Sequence, residues 1–443
     1  MTRRFLIALW PLTGHLLPQL GIGLALRERG HEVAFFSGES VRRQIEQEGF
    51  ELFPFESTGV EGVEQRLHAM DRNSRRTRPR GRMLPVMREW LVDSIPAQVA
   101  DIRSVLARWP ADAIVSDSMM WGPIAVMWEA DGIPVAASAP LLGPLIPGPE
   151  APVFGLGLAP PRTRRGRLAS GALSRALERA GAPLWRGVEQ MRAQHGLAPM
   201  GESVNRFSGR LPLYLVAGIP ELDYNRRDLP PSVRYLGNCV RYPEEPGAAG
   251  WLAGIPSERP WVYVSESTVS LGDPYLLRTA VAALADEPVE LILTTGEQRD
   301  PAILGAAASA PNVHVTRWIS HGELLPHCAA LVTFGGRGVI LAAAEAGVPM
   351  VVVPTSWDKP DNARRVTFAG AGVRLAPRRL SPQSLRAAVH EVLDRPSYAA
   401  AAAGLAAKLA VAPGAAGAAQ LLEGMVGGGA PERMAALIDG GAS

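Results

Sequence analysis

The apolar positions of this chain fall into two long series, each alternating short apolar runs with stretches of helical spacing. Residues 4–10 form a run of the buried-strand kind, and 17–29 follow with Leu20, Ile22, Leu24 and Leu26 on one helical pattern. Residues 31–36 predict the next strand, and the runs 113–117 and 133–137 extend the series. Strands that alternate with helices predict an α/β fold, with parallel sheets and crossover helices. A second series predicts strands at 261–265, 289–294, 313–318, 330–334 and 348–354, with a helix at 338–346. Between the two, residues 242–260 are rich in Pro, Gly and Glu and read as a linker. From residue 398 the chain is rich in Ala, a strong helix former.

A length of 443 residues fits two or three domains, and 47% hydrophobic residues can fill their cores. Forty-five basic residues against 43 acidic ones leave a net charge of +2, so no general affinity for nucleic acid or membrane is expected. Two cysteines, Cys239 and Cys328, are too few for a disulfide framework or a metal cluster and fit a reducing cytoplasm. The apolar start is too short for a signal peptide and lacks a cleavage site, so it reads as a strand. No apolar run reaches the roughly 18 to 20 residues that span a bilayer, so no stable membrane insertion is expected. Two arginine-rich stretches, 71–82 and 162–167, interrupt the first series. They read as solvated mobile loops or as a basic lid favouring an acidic substrate.

Several short stretches match one family in order and spacing. Gly14, His15 and Pro18, then Gly30, His31, Glu32 and Val33, are similar to the opening of family-1 glycosyltransferases. Pro220–Leu222 with Asp223, then residues 233–237 and the strand at 261–265, resemble the approach to that family's second half. Trp318, Leu324, Leu325, Pro326, Gly335, Gly336, Gly347, Val348, Pro349, Asp358, Asn362 and Ala363 resemble its donor region. The resemblance implies the GT-B fold, two facing Rossmann-like domains with a cleft between them. It implies an acceptor-binding domain at 1–240, a linker at 241–260 and a donor-type domain at 261–415. A C-terminal helix at 416–443 would return to the first domain. Ligands are then expected outside the carboxyl ends of the strands.

His15 follows the first strand and is expected to open the first helix. A helix N-terminus favours the neutral imidazole, the form that accepts a proton. The resemblance implies that His15 removes the proton of an acceptor hydroxyl and that Asp117, at the end of the strand 113–117, orients it. The bland alternative is a histidine packed under the helix and an ordinary strand-end carboxylate.

In the donor-type pocket the resemblance places a base-stacking ring at Trp318, a phosphate turn at Gly335 and Gly336, a hydroxyl at Thr268 and a sugar-binding acid at Asp358. Trp318 is alternatively a core tryptophan. Other positions depart from the family. Phe334 stands where it has a phosphate-binding histidine. Val339 and Ile340 stand at hydroxyl positions, Ala342 at a ribose-binding glutamate, Ser267 (after Glu266) at a glycine and Lys359 at a glutamine. Each missing hydrogen bond to a charged oxygen is worth about 1.5–3 kcal/mol, so sugar-nucleotide affinity is expected to suffer. Arg337 and Lys359 are cations that offset part of this.

Three readings follow. The first expectation is a repurposed enzyme, with His15 and Asp117 performing cyclisation, elimination or isomerisation on a bulky hydrophobic molecule and nucleotide-sugar use lost. The second is an inverting transferase acting from a nucleoside-diphosphate sugar. The third is a non-catalytic partner of a related transferase. The apolar stretch 119–128, with 84–90, suggests a polyketide, macrolide or polycyclic aromatic ligand, although core packing explains it equally well. Natural-product metabolism is implied by the family. No metal and no cofactor are expected, the family being metal-independent, and a homodimer stays open.

Overall fold

The computed structural model describes residues 1–59, 85–242, 248–266, 273–296 and 299–428. Among them, every strand pairs in parallel within one of two sheets. The first holds β1 (Arg4–Ala8), β2 (Glu32–Ser37), β3 (Glu51–Pro54), β4 (Ala113–Asp117), β5 (Val135–Ala139), β6 (Leu213–Val216) and β7 (Val233–Tyr235). The second holds β8 (Trp261–Ser265), β9 (Glu290–Thr294), β10 (Val313–Thr316), β11 (Cys328–Thr333), β12 (Met350–Val352) and β13 (Gly372–Arg374). Their orders are 3-2-1-4-5-6-7 and 10-9-8-11-12-13. Each sheet thus reverses its winding at one place, between β1 and β4 and between β8 and β11. Such switch points leave a crevice beyond the strand ends.

The strands are apolar throughout because both faces are covered. In β1, Phe5 and Ile7 enter one core while Leu6 and Ala8 enter the other. In the second sheet, Val262, Val264, Ala330 and Val332 share one face, and Trp261, Tyr263 and Leu331 share the opposite one. This is the period of two that a pleated strand imposes.

The helices that bound the site are α1 (Thr13–Glu28), α2 (Arg164–Ala180), α3 (Tyr275–Leu284), α4 (Arg337–Glu345), α5 (Lys359–Phe368) and α6 (Gly414–Val426). α6 lies on α1, with Ala418, Leu421 and Leu422 buried in the same core as Leu20 and Leu24. Glu423 of α6 accepts from Arg29 and His31 at 2.6–2.7 Å. Among the described residues no single helix is long and apolar enough to cross a membrane.

Two expectations about irregular segments change. The stretch 162–167 is not a loop, for Thr163 caps α2 by accepting from the Gly166 amide at 3.0 Å. The Ala, Leu and Arg residues that follow favour helix, although α2 buries none of them. Within the linker, Ala248–Ala253 is helical, and Leu252 and Ile255 join the core of the second sheet. Residues 71–82 and 429–443 lie outside the described part.

Candidate active site

The two sheets bring their switch points together, and the side chains there come from turns just past strand ends. α1 begins at Thr13, shortly after β1 ends at Ala8, without a side-chain cap, and His15 sits in its first turn. Asp117 closes β4, the strand beside β1. His15 Nδ1 lies 2.5 Å from Asp117 Oδ2. The carboxylate is 2% exposed and its other oxygen accepts from the Met119 amide at 2.8 Å, so its orientation is fixed. The His15 side chain is 15% exposed, which leaves Nε2 as the nitrogen free of the carboxylate. The arrangement is a carboxylate-oriented imidazole, suited to taking up a proton and to stabilising the resulting cation.

Across from it lies the N-terminus of α4. Gly335 adopts φ +91°, and a Cβ there would stand 2.6 Å from Val352, so only glycine fits. Around Gly336 and Gly338, in contrast, a Cβ would meet nothing within 4 Å. Gly336 is the N-cap and no side chain caps the helix. Uncapped amides with open space in front form a ready site for an anion. Asn362 ties this turn to the next helix, donating to the Gly335 carbonyl at 3.0 Å and to Asp358 Oδ2 at 2.7 Å. Trp318, just beyond β10, is 38% exposed and so offers a ring face rather than filling a core. Lys359 is buried in the first turn of α5. Thr268 and Ser267 lie outside the described residues.

Arg337 is 5% exposed and crosses from the second sheet to the first. Its Nη2 donates to the Gly14 carbonyl at 3.2 Å and Nη1 to the Ala217 carbonyl at 3.5 Å. Pro18 explains why the first acceptor is available. Proline has no N–H, so the helical bond to the carbonyl four residues earlier, that of Gly14, is not made. Burial pulls the guanidinium below its ordinary range.

The second half of the molecule is bolted to the first around this crevice. Asp361 accepts from the Gly155 and Gly157 amides at 2.5 and 2.7 Å, and Arg364 and Arg374 donate to the Gly157 carbonyl. Burial pushes the Asp361 carboxyl up. Arg365 donates to Asp223, which also accepts from the Tyr235 hydroxyl at 2.6 Å. Trp357, absent from the sequence-based site, has φ +59° and packs on the core of the first sheet, edge-on to Trp90 at 6.3 Å. Trp90 in turn lies 5.6 Å from Trp10, whose indole donates to the Met119 carbonyl. A chain of contacts through the buried Trp10 and Trp90 therefore links Met119, two residues past Asp117, to Trp357, the residue preceding Asp358.

Phe334, Ile340 and Ala342 are buried in the cores that flank the second sheet. Phe334 is 1% exposed and sits 5.1 Å from the Tyr275 ring inside the core of the second sheet. Ile340 and Ala342 are buried on the core side of α4. Glu266 is buried too, paired with Arg299 at 2.6 Å and accepting from the Leu276 amide in the first turn of α3. Burial pushes its carboxyl up. Residues 124–127 and Trp121 pack in the first sheet's core, so most of the stretch 119–128 is interior.

The model for the C-terminal domain of erythromycin biosynthesis protein CIII-like proteins matches residues 278–425. The 4'-demethylrebeccamycin synthase of Lentzea aerocolonigenes is 34% identical over 96% of this chain and 100% of its own length. The chain belongs to the family-1 glycosyltransferases of the GT-B fold, of the bacterial natural-product type. This glycosyltransferase-fold enzyme is also 26% identical to UDP-glycosyltransferase 2 of Phaeomoniella chlamydospora, over 89% of each chain. Its fold matches that of the spinosyn rhamnosyltransferase SpnG, solved with thymidine diphosphate and with spinosyn aglycone. That match has TM-score 0.70 at 18% identity, over 95% of this chain and 100% of the other. These relatives overturn the expectation of a repurposed cyclase or isomerase, which rested on Phe334, Ile340 and Ala342, side chains that the fold buries.

Proposed function

We propose that this glycosyltransferase moves a sugar from a nucleoside-diphosphate sugar to a hydroxyl of a bulky hydrophobic natural product. The observation that carries the reading is the oriented His15–Asp117 pair facing the uncapped, open N-terminus of α4. The first half, 1–240, holds the acceptor, and residues 261–415 hold the donor. His15 Nε2 takes the acceptor's hydroxyl proton while Asp117 steadies the imidazolium. The freed oxygen attacks the anomeric carbon from the face opposite the diphosphate, so the configuration inverts. The bond from that carbon to the phosphate oxygen breaks, and the diphosphate leaves with the electron pair. Trp318 supports the base, the α4 amides the phosphates and Asp358 the sugar hydroxyls. The hydrophobic acceptor class, polyketide, macrolide or polycyclic aromatic, is supported by the relatives' names.

The test incubates the enzyme with a set of such aglycones and TDP- or UDP-sugars and follows mass. A product heavier by one sugar unit, absent with His15→Ala, supports the reading. Turnover of an aglycone without any sugar nucleotide would count against it.

A further inference from the structure

The turn that carries the base is poorly supported by its own helix. α1 opens without a side-chain cap, with Gly14 in its first turn. Pro18 has no N–H, so the helical bond back to the Gly14 carbonyl is not made. A glycine and a missing bond both loosen a helix. His15 therefore depends on contacts from outside α1. Asp117 of β4 supplies one, and Arg337, donating to the Gly14 carbonyl at 3.2 Å, supplies another.

A further contact lies one turn along. Gln19 stands four residues after His15, so the two side chains share a face of α1. Its Nε2 donates to Ser138 Oγ at 2.5 Å. Ser138 is on β5, where it stands opposite Asp117 in the parallel register. The Ser138 carbonyl also accepts from the Ser118 amide at 2.9 Å, next to Asp117. One face of α1 is thus joined at successive turns to neighbouring strand ends, His15 to β4 and Gln19 to β5. Gln19 and Ser138 are each 4% exposed, and Leu16 and Leu20 of the same helix are buried as well. Gln19 Oε1 has no hydrogen-bond partner among the described residues. A half-satisfied amide in such a place is less favourable than a leucine, so packing alone does not explain a glutamine there.

We propose that Gln19 and Ser138 are positioning residues for His15. The assignment rests on the transferase reading and deepens it. Their hydrogen bond sets the rotation of α1 over the ends of β4 and β5, and with it the direction in which His15 presents Nε2. Proton transfer needs that nitrogen within about 2.6–3.2 Å of the acceptor hydroxyl, so a small rotation of the helix removes it from reach. Buried as they are, Gln19 and Ser138 serve through His15 and not by touching the acceptor.

The experiment separates activity from stability in Ser138→Ala, Gln19→Leu and the double variant of the full-length enzyme. Steady-state kinetics use a TDP- or UDP-sugar and an aglycone that wild type glycosylates, and thermal melts are recorded beside them. All three variants are expected to lose about 10- to 100-fold in kcat with both KM values unchanged. Each single variant leaves a polar partner stranded and lowers the melting temperature, whereas the double variant removes both partners and regains much of it. The double variant is therefore expected to melt close to wild type while its kcat stays low. In a His15→Ala background Ser138→Ala is expected to cost nothing further, because it acts through the missing ring. Wild-type kcat in any folded variant, recovery of kcat along with the melt in the double variant, or a further loss without His15 would overturn the proposal and leave the transferase reading intact. Absence of sugar transfer in wild type would instead remove the reading on which it rests.

Discussion

His15 and Asp117 stand 102 residues apart in the chain and meet with Nδ1 2.5 Å from Oδ2, because β1 and β4 are neighbours in the first sheet. Asp117 is locked by the Met119 amide, so the pair is positioned before any substrate arrives. Removing the imidazole should cost a factor of about 10² to 10⁴ in kcat. Asp117→Asn should cost somewhat less, since the amide still holds the ring but offers no charge to the imidazolium. Steady-state kinetics with unchanged affinity for the nucleoside diphosphate would separate this from a folding defect. A His15→Ala enzyme with wild-type kcat would remove the base from its role.

Trp357 holds φ +59°, a conformation that costs a bulky residue about 1 kcal/mol or more. It is kept there with its ring against Trp90 and its neighbour Asp358 bonded to Asn362. Trp357→Ala is expected to raise KM for the aglycone about tenfold, through lost aromatic area, with little change in KM for the sugar donor. Equal effects on both substrates would mean that the tryptophan serves the general shape of the crevice instead.

Asp223 is 1% exposed and Arg365 12%, and their ion pair joins the approach to β7 to α5. Breaking one side of such a pair strands the other charge. Asp223→Ala should therefore lower stability by about 3–5 kcal/mol, while a paired apolar replacement of both should cost much less. Urea unfolding of the two variants checks this, and equal losses would contradict it.

His321 packs against Tyr263 and Tyr242, and burial pulls its imidazolium down to about 4 from 6.5. Below pH 6.5 the unfolded chain takes up a proton that the native histidine refuses until about pH 4. Stability is thus full above 6.5 and falls as the pH drops through that window, by at most about 3 kcal/mol from this residue. His321→Phe should flatten the decline between pH 6.5 and 4 in thermal melts. An unchanged slope would assign the decline to other groups.

Much of this architecture is legible in the sequence, for definite reasons. The strand 261–265 is read at its observed limits because five buried residues stand between a proline and a polar turn. β12 is read too long, since Val348 and Val353 are buried beside the strand but lie outside its limits, Met350–Val352. β3 and β13, short edge strands, give no run long enough to recognise. At the site, the meeting of His15 and Asp117 is legible because His15 follows one strand of the predicted series and Asp117 ends another. The burial of Phe334 is not carried by its motif position but by its parity in the strand. Phe334 shares a strand face with Ala330 and Val332, which places it in the core. The contacts that cross between halves, Arg337 to Gly14 and Asp361 to Gly155, join residues more than 200 positions apart and have no periodic signal.

The central claim is that the crevice receives a nucleoside diphosphate, and a crystal of this enzyme soaked with TDP or UDP tests it most directly. The account predicts the base on the Trp318 ring and the diphosphate at the Gly336–Gly338 amides, on the side facing His15. Saturating nucleotide that leaves this turn empty, or settles elsewhere on the protein, would contradict it.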